Sequence, residues 1–86
     1  MPKLQKLYQK ALDSPQNLTF REVCTLAESV GYEPRGRIRS GSSHRVFKHP
    51  SIKELLNFQS DHGKAIPYQV KQLLEKIDEH NLMQEE

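Results

Sequence analysis

The sequence predicts a single α+β domain: two helices, three antiparallel strands with the helices on one face, and a closing helix. Three observations predict it. Apolar residues recur at helical spacing near both ends of the chain, but in the middle they alternate with polar residues and are broken by Gly, Ser and Pro. The chain has 86 residues, 35% of them hydrophobic, with a mean hydropathy of −0.79. That length suits one small, economical core rather than two.

The first helix is expected over Leu4, Leu7, Tyr8, Ala11 and Leu12, with Pro2 where helices tolerate proline. Asp13-Ser14-Pro15 ends it. The second helix has sharper boundaries. Thr19 can cap it, Glu22 three residues on completes a capping box, and Gly31 supplies a left-handed stop. Phe20, Val23, Cys24, Ala27 and Val30 form its apolar face, so Cys24 is read as a core thiol.

From Tyr32 the period changes. Arg37, Ile38 and Arg39 alternate as a first strand, and Pro34 marks it as an edge strand or one with an irregular start. Ser40-Gly41 is a turn signal, and His44 to Lys48 is the returning strand. Val46 and Phe47 are adjacent, so alternation does not say which of them faces the core. Period-two geometry puts His44, Val46 and Lys48 on one face and Ser43, Arg45 and Phe47 on the other. Leu55 to Phe58 is a short third strand, and Asp61-His62-Gly63-Lys64 a turn. Pro67 opens a last helix carrying Val70, Leu73, Leu74 and Ile77, and His80-Asn81 ends it. The parts divide as an N-terminal helical extension over 1–15, a core over 16–82 and an acidic tail over 83–86.

Net charge is only +2, but it is unevenly distributed. Residues 32–53 hold Arg35, Arg37, Arg39, Arg45, Lys48 and Lys53 against Glu33 alone, while residues 75–86 hold five carboxylates against Lys76. A local basic patch points to a polyanion more strongly than a global charge does. One cysteine excludes a disulfide framework and a Cys-rich zinc site. No apolar run reaches the length of a membrane span or signal-peptide core, so a cytoplasmic protein is expected. P-loop, dinucleotide and HExxH fingerprints do not occur. The dispersed carboxylates offer no two-metal nuclease site, and no cofactor is expected.

Of four histidines, His62 reads as a turn residue, His80 as a helix end and His49 as a strand-end filler before Pro50. His44 differs in context: Gly41, Ser42 and Ser43 precede it, and Arg39 and Arg45 are close along the strands. Cleaving RNA without a metal requires the 2′-hydroxyl to lose a proton and attack phosphorus, and the leaving 5′-oxygen to gain one. Histidine side chains suit either transfer. Arginines can hold the charge that builds on the phosphate oxygens. Gly41 permits close backbone approach, and Ser42 and Ser43 offer hydroxyls and N–H groups. Arg35, Arg37, Arg39, Gly41, Ser42, Ser43, Arg45 and Lys48 are therefore the candidate RNA-binding residues around a catalytic His44. A second acid or base is not evident.

Gly31-Tyr32, Gly41-Ser42-Ser43-His44 and Phe47-Lys48-His49-Pro50 resemble, in order and spacing, the signature of HicA-type (YcfA-like) toxins. Pro67 to Leu74 is similar to that family's final helix, and the likeness spans roughly Leu18 to Leu82. The resemblance implies a double-stranded-RNA-binding-domain-like α-β-β-β-α fold, here with an extra N-terminal helix. It implies an endoribonuclease that cleaves mRNA with His44 catalytic, and a HicB-like antitoxin as partner. The helix before Asp13 and the long stretch 51–64 depart from the family core, so no role is carried onto His62.

Two other readings fit the same residues. A non-catalytic RNA-binding module would bind through the arginines in a salt-sensitive way. The sequence Lys64-Ala65-Ile66-Pro67 lacks the dense lysine cluster such a module needs. A small interaction domain would use its acidic tail on a basic partner and retain no RNA.

Overall fold

The computed structural model describes residues 2–35 and 44–82, with side chains from residue 5 onward. Among these residues it is an α+β domain in which a meandering antiparallel sheet carries helices on one face. The elements are α1 (Pro2–Asp13), a 3-10 turn (Pro15–Asn17), α2 (Phe20–Ser29), β1 (Glu33–Arg35), β2 (His44–His49), β3 (Ile52–Asp61), β4 (Lys64–Ala65) and α3 (Pro67–Glu79). The strands follow one another in space as β1-β2-β3-β4. The expected count of three strands thus becomes four among the described residues. The additional one is β4, a two-residue strand pairing Lys64 with Asp61 and Ala65 with Ser60.

The boundaries of α2 follow its sequence signals closely. Glu22 N–H donates to Thr19 Oγ1 at 3.0 Å, and Thr19 N–H donates to Glu22 Oε1 at 3.0 Å, closing the capping box. Lys10 Nζ donates to the same carboxylate at 2.9 Å, tying α1 to the start of α2. At the other end Gly31 has φ +106°, and Tyr32 N–H donates back to Ala27 O at 3.0 Å. α1 packs against α2 and α3, with Ala11 wholly buried and Leu7 and Tyr8 partly so. The helical extension therefore adds to the core. The side chain of Leu4 lies outside the described residues.

The sheet departs from expectation at its third strand, while its first carries Pro34 as expected. The first strand is at Glu33–Arg35, and Pro34 sits within it. Among the described strands β1 is at the edge of the sheet, where a missing N–H is tolerated. Arg37 to Arg39, expected as that strand, and the Ser40-Gly41 turn lie outside the described residues. The third strand runs over ten residues rather than four. Adjacent Leu55 and Leu56 hide its alternation, and polar Asn57, Gln59 and Ser60 have little strand preference of their own. Tertiary pairing overrides that preference, turning Ile52, Leu56 and Phe58 inward and leaving Leu55 54% exposed.

Phe47 resolves the ambiguity in β2. It is fully buried against Phe58, ring centroids 5.5 Å apart, while Val46 is half-buried on the other face. The core is closed by Leu18, Leu26, Val70, Leu73 and Ile77 from the helical side. Burying side chains of this kind contributes roughly 1.5–3 kcal/mol each. The β3–β4 turn is His62-Gly63, both with positive φ (55° and 84°), which fits the right-handed twist of a two-residue hairpin. Leu18 and Thr19 cover the outer side of β4: Ala65 N–H donates to Leu18 O at 3.0 Å, and Thr19 bridges to Lys64.

Candidate active site

The residues before and after the basic stretch are locked together by packing. His49 is 92% buried, and its two ring nitrogens have fixed roles. Ser51 N–H donates to Nδ1 at 3.0 Å, so the proton is on Nε2, which donates to Val30 O at 3.1 Å. Tyr32 meets the same imidazole edge-on at 5.1 Å. A Cβ on Gly31 would lie 2.7 Å from His49 Nε2. Gly31-Tyr32 and His49-Pro50 are thus one structural unit joining the end of α2 to the β2–β3 hairpin. His49 fills that unit with both nitrogens satisfied, which fits a structural residue.

His44 is placed differently. It starts β2 opposite Gln59, and Val46 lies opposite Asn57 and Arg35. Since Phe47, Leu56 and Phe58 face the helices, His44, Val46, Asn57 and Gln59 face away from them. His44 and Asn57 are exposed, and Val46 and Gln59 are half-buried. Among the described residues the imidazole therefore stands on the face of the sheet that the helices leave uncovered. His44 Nε2 is 2.6 Å from Gln59 Nε2. Behind that amide, Gln69 from the first turn of α3 bonds both the Gln59 side chain, at 3.3 Å, and its peptide N–H, at 2.8 Å.

The candidate phosphate-binding side chains divide. Arg35 is exposed on β1 and shares the open face with Val46 and His44. Arg45 is on the opposite side, with its guanidinium 5.9 Å from the Phe20 ring centre at the start of α2. Lys48 turns its ammonium back onto the hairpin, donating to the carbonyls of His49 at 3.2 Å and Ile52 at 2.5 Å. Arg37, Arg39, Gly41, Ser42 and Ser43 lie outside the described residues. The structure thus brings Arg35 and His44 to one face and takes Arg45 from it.

The electrostatics elsewhere are structural. Burial pushes the Cys24 thiol up to about 11, which suppresses thiolate chemistry at neutral pH. Burial likewise pushes the Tyr32 hydroxyl up to about 12. Its oxygen has no hydrogen-bond partner among the described residues. The Thr19 backbone N–H, aided by Lys10, holds the Glu22 carboxyl below its ordinary range. Among the described residues, no cluster of three or more His, Cys, Asp or Glu could hold a metal ion, and no helix is long and apolar enough to cross a membrane.

Gln59 and Gln69 were not expected at this site. Ending the third strand at Phe58 put Gln59 in a loop, whereas a strand continuing to Asp61 places it on the face of His44. Gln69 carries no local signal, since it arrives from a different element. Compared with protein-family models, curated proteins and solved structures, the chain matches none.

Proposed function

We propose that this protein is a metal-independent endoribonuclease that cleaves mRNA, the toxin of a HicA-type toxin–antitoxin pair neutralised by a HicB-like antitoxin. In this reading the sheet and helices are a double-stranded-RNA-binding-domain-like α-β-β-β-α unit, extended by α1 and by the short strand β4. The observation that carries the proposal is the position of His44: exposed, on the sheet face turned away from the helix layer, the face that Arg35 shares. An imidazole buried among the helices could not reach a ribose-phosphate; this one can.

The chemistry asks His44 to exchange a proton with the reacting ribose or with the leaving 5′-oxygen. Arg35 adds positive charge on the same face, where a guanidinium can pair with phosphate oxygens. The Gly41-Ser42-Ser43 run directly before His44 supplies the G-S-x-H element of the resemblance. Inducing the wild-type chain and His44→Ala in a bacterial host tests the proposal. Growth arrest and loss of mRNA are expected from the wild type only. Equal arrest and RNA loss from both chains contradict a catalytic His44. RNA retention by both without cleavage favours the non-catalytic binding module.

A further inference from the structure

A chain of hydrogen bonds leads from the backbone of β3 to His44, and its sense is fixed at every link. Gln59 lies one step beyond the last β3–β4 pair, Ser60 with Ala65, and the chain turns away into α3 at Pro67. The Gln59 peptide N–H meets the side chain of Gln69 instead, at 2.8 Å. A peptide N–H only donates, so the Gln69 atom facing it is Oε1, and the other end of that amide is the NH2 group. Gln69 Nε2 donates to Gln59 at 3.3 Å, so the Gln59 atom there is Oε1. Gln59 therefore turns its own NH2 to His44 Nε2, 2.6 Å away.

We infer that Gln59 and Gln69 are positioning residues that hold neutral His44 in one tautomer, with the proton on Nδ1 and the lone pair on Nε2. Amide orientations are ordinarily ambiguous, but here a main-chain donor anchors the first of them and the rest follow. Neutral histidine in water favours the opposite tautomer, with the proton on Nε2, so the arrangement is imposed by the protein. His49 makes the contrast within the same strand, because its contacts put the proton on Nε2. The catalytic consequence rests on the proposed function of His44; the tautomer does not. The lone pair able to take up the 2′-hydroxyl proton is on Nε2, held by the Gln59 amide until substrate takes that place.

Gln69→Glu is the discriminating variant. Its carboxylate still accepts from the Gln59 peptide N–H, and an acid suits the first turn of a helix, so folding is retained. Its second oxygen can only accept, which turns the Gln59 NH2 toward α3 and the Gln59 oxygen toward His44. Nε2 must then carry the proton. Nitrogen-15 NMR of the histidine rings, in buffer where they are neutral, reads this directly, and Gln69→Ala serves as a second variant that releases the Gln59 amide. The expected result is Nδ1–H at His44 in the wild type and Nε2–H in Gln69→Glu, with His49 unchanged. Nε2–H at His44 in the wild type overturns the inference. In cleavage assays Gln69→Glu should lose about 10²-fold in kcat with RNA affinity unchanged within about twofold, because the accepting atom moves to the other side of the ring. An inverted tautomer with unchanged kcat overturns the positioning role. The expected tautomer in a wild type that does not cleave RNA leaves the lock standing and removes the ribonuclease reading.

Discussion

Two glycines in this fold share a backbone conformation and differ in their surroundings, and that difference makes a quantitative prediction. Gly31 has φ +106° and Gly63 φ +84°. Alanine at either position carries the penalty of left-handed backbone, about 1–2 kcal/mol. At Gly63 none of the described residues lies within 4 Å of the added Cβ, so that penalty is the whole cost. At Gly31 the methyl would sit 2.7 Å from His49 Nε2 and 3.1 Å from Cδ2. His49 cannot give way without breaking its bonds to Val30 O and Ser51 N, and an unsatisfied buried polar group costs about 1–3 kcal/mol. Gly31→Ala should therefore destabilise the domain by about 2–5 kcal/mol and Gly63→Ala by about 1–2 kcal/mol. A chain of this length has total stability of roughly 4–13 kcal/mol. Urea unfolding of the two variants against wild type measures both losses, with the m-value required to stay constant. Equal losses would refute the account of Gly31-Tyr32 and His49-Pro50 as one packed unit.

Other outcomes follow from the same structure. Thr19→Ala should cost about 1 kcal/mol of stability, measured by thermal unfolding, because it leaves the start of α2 uncapped. The Glu22 carboxyl is held below its ordinary range, so its contribution is present above the unfolded-state value and lost as pH falls through the folded one. The stability gap between wild type and Glu22→Gln should be widest near neutral pH and close as the medium is acidified; a gap constant with pH contradicts it. Tyr32→Phe should leave stability unchanged or raise it by about 1 kcal/mol, since its buried hydroxyl has no partner among the described residues. Cys24, buried and raised to about 11, should react with iodoacetamide at neutral pH only as fast as the domain unfolds. Phe47→Ala should cost about 3–5 kcal/mol in chemical unfolding, more than any change on the open face.

The parts of the fold legible in the sequence are those whose signal is local. Thr19, Glu22 and Gly31 mark the ends of α2 because capping and left-handed turns need only a few consecutive residues. Pro67 marks the start of α3 for the same reason. The register of β3 was hidden because adjacent Leu55 and Leu56 mask a period of two, and only the packing of Ile52, Leu56 and Phe58 on the helices breaks the tie. β4 was hidden because two residues carry no pattern at all. At the candidate site, the setting after Gly41-Ser42-Ser43 singles out His44 in the sequence, and its sheet face follows from the burial of Phe47. The Gln59–Gln69 pair was not legible: the two residues meet only when α3 folds back across the edge of β3.

The central claim is that His44 drives RNA cleavage from the open face of the sheet. Purified wild type and His44→Ala, incubated with the same mRNA in the presence of EDTA, test it most directly. Attack by the 2′-hydroxyl with loss of the 5′-oxygen leaves a 2′,3′-cyclic phosphate and a 5′-hydroxyl, so the product ends report the chemistry as well as the rate. The account predicts such ends from the wild type without metal and at least a 10²-fold slower reaction from His44→Ala, about the least that general acid–base catalysis contributes. Cleavage at equal rates by the two proteins, or no cleavage by the wild type, would contradict it.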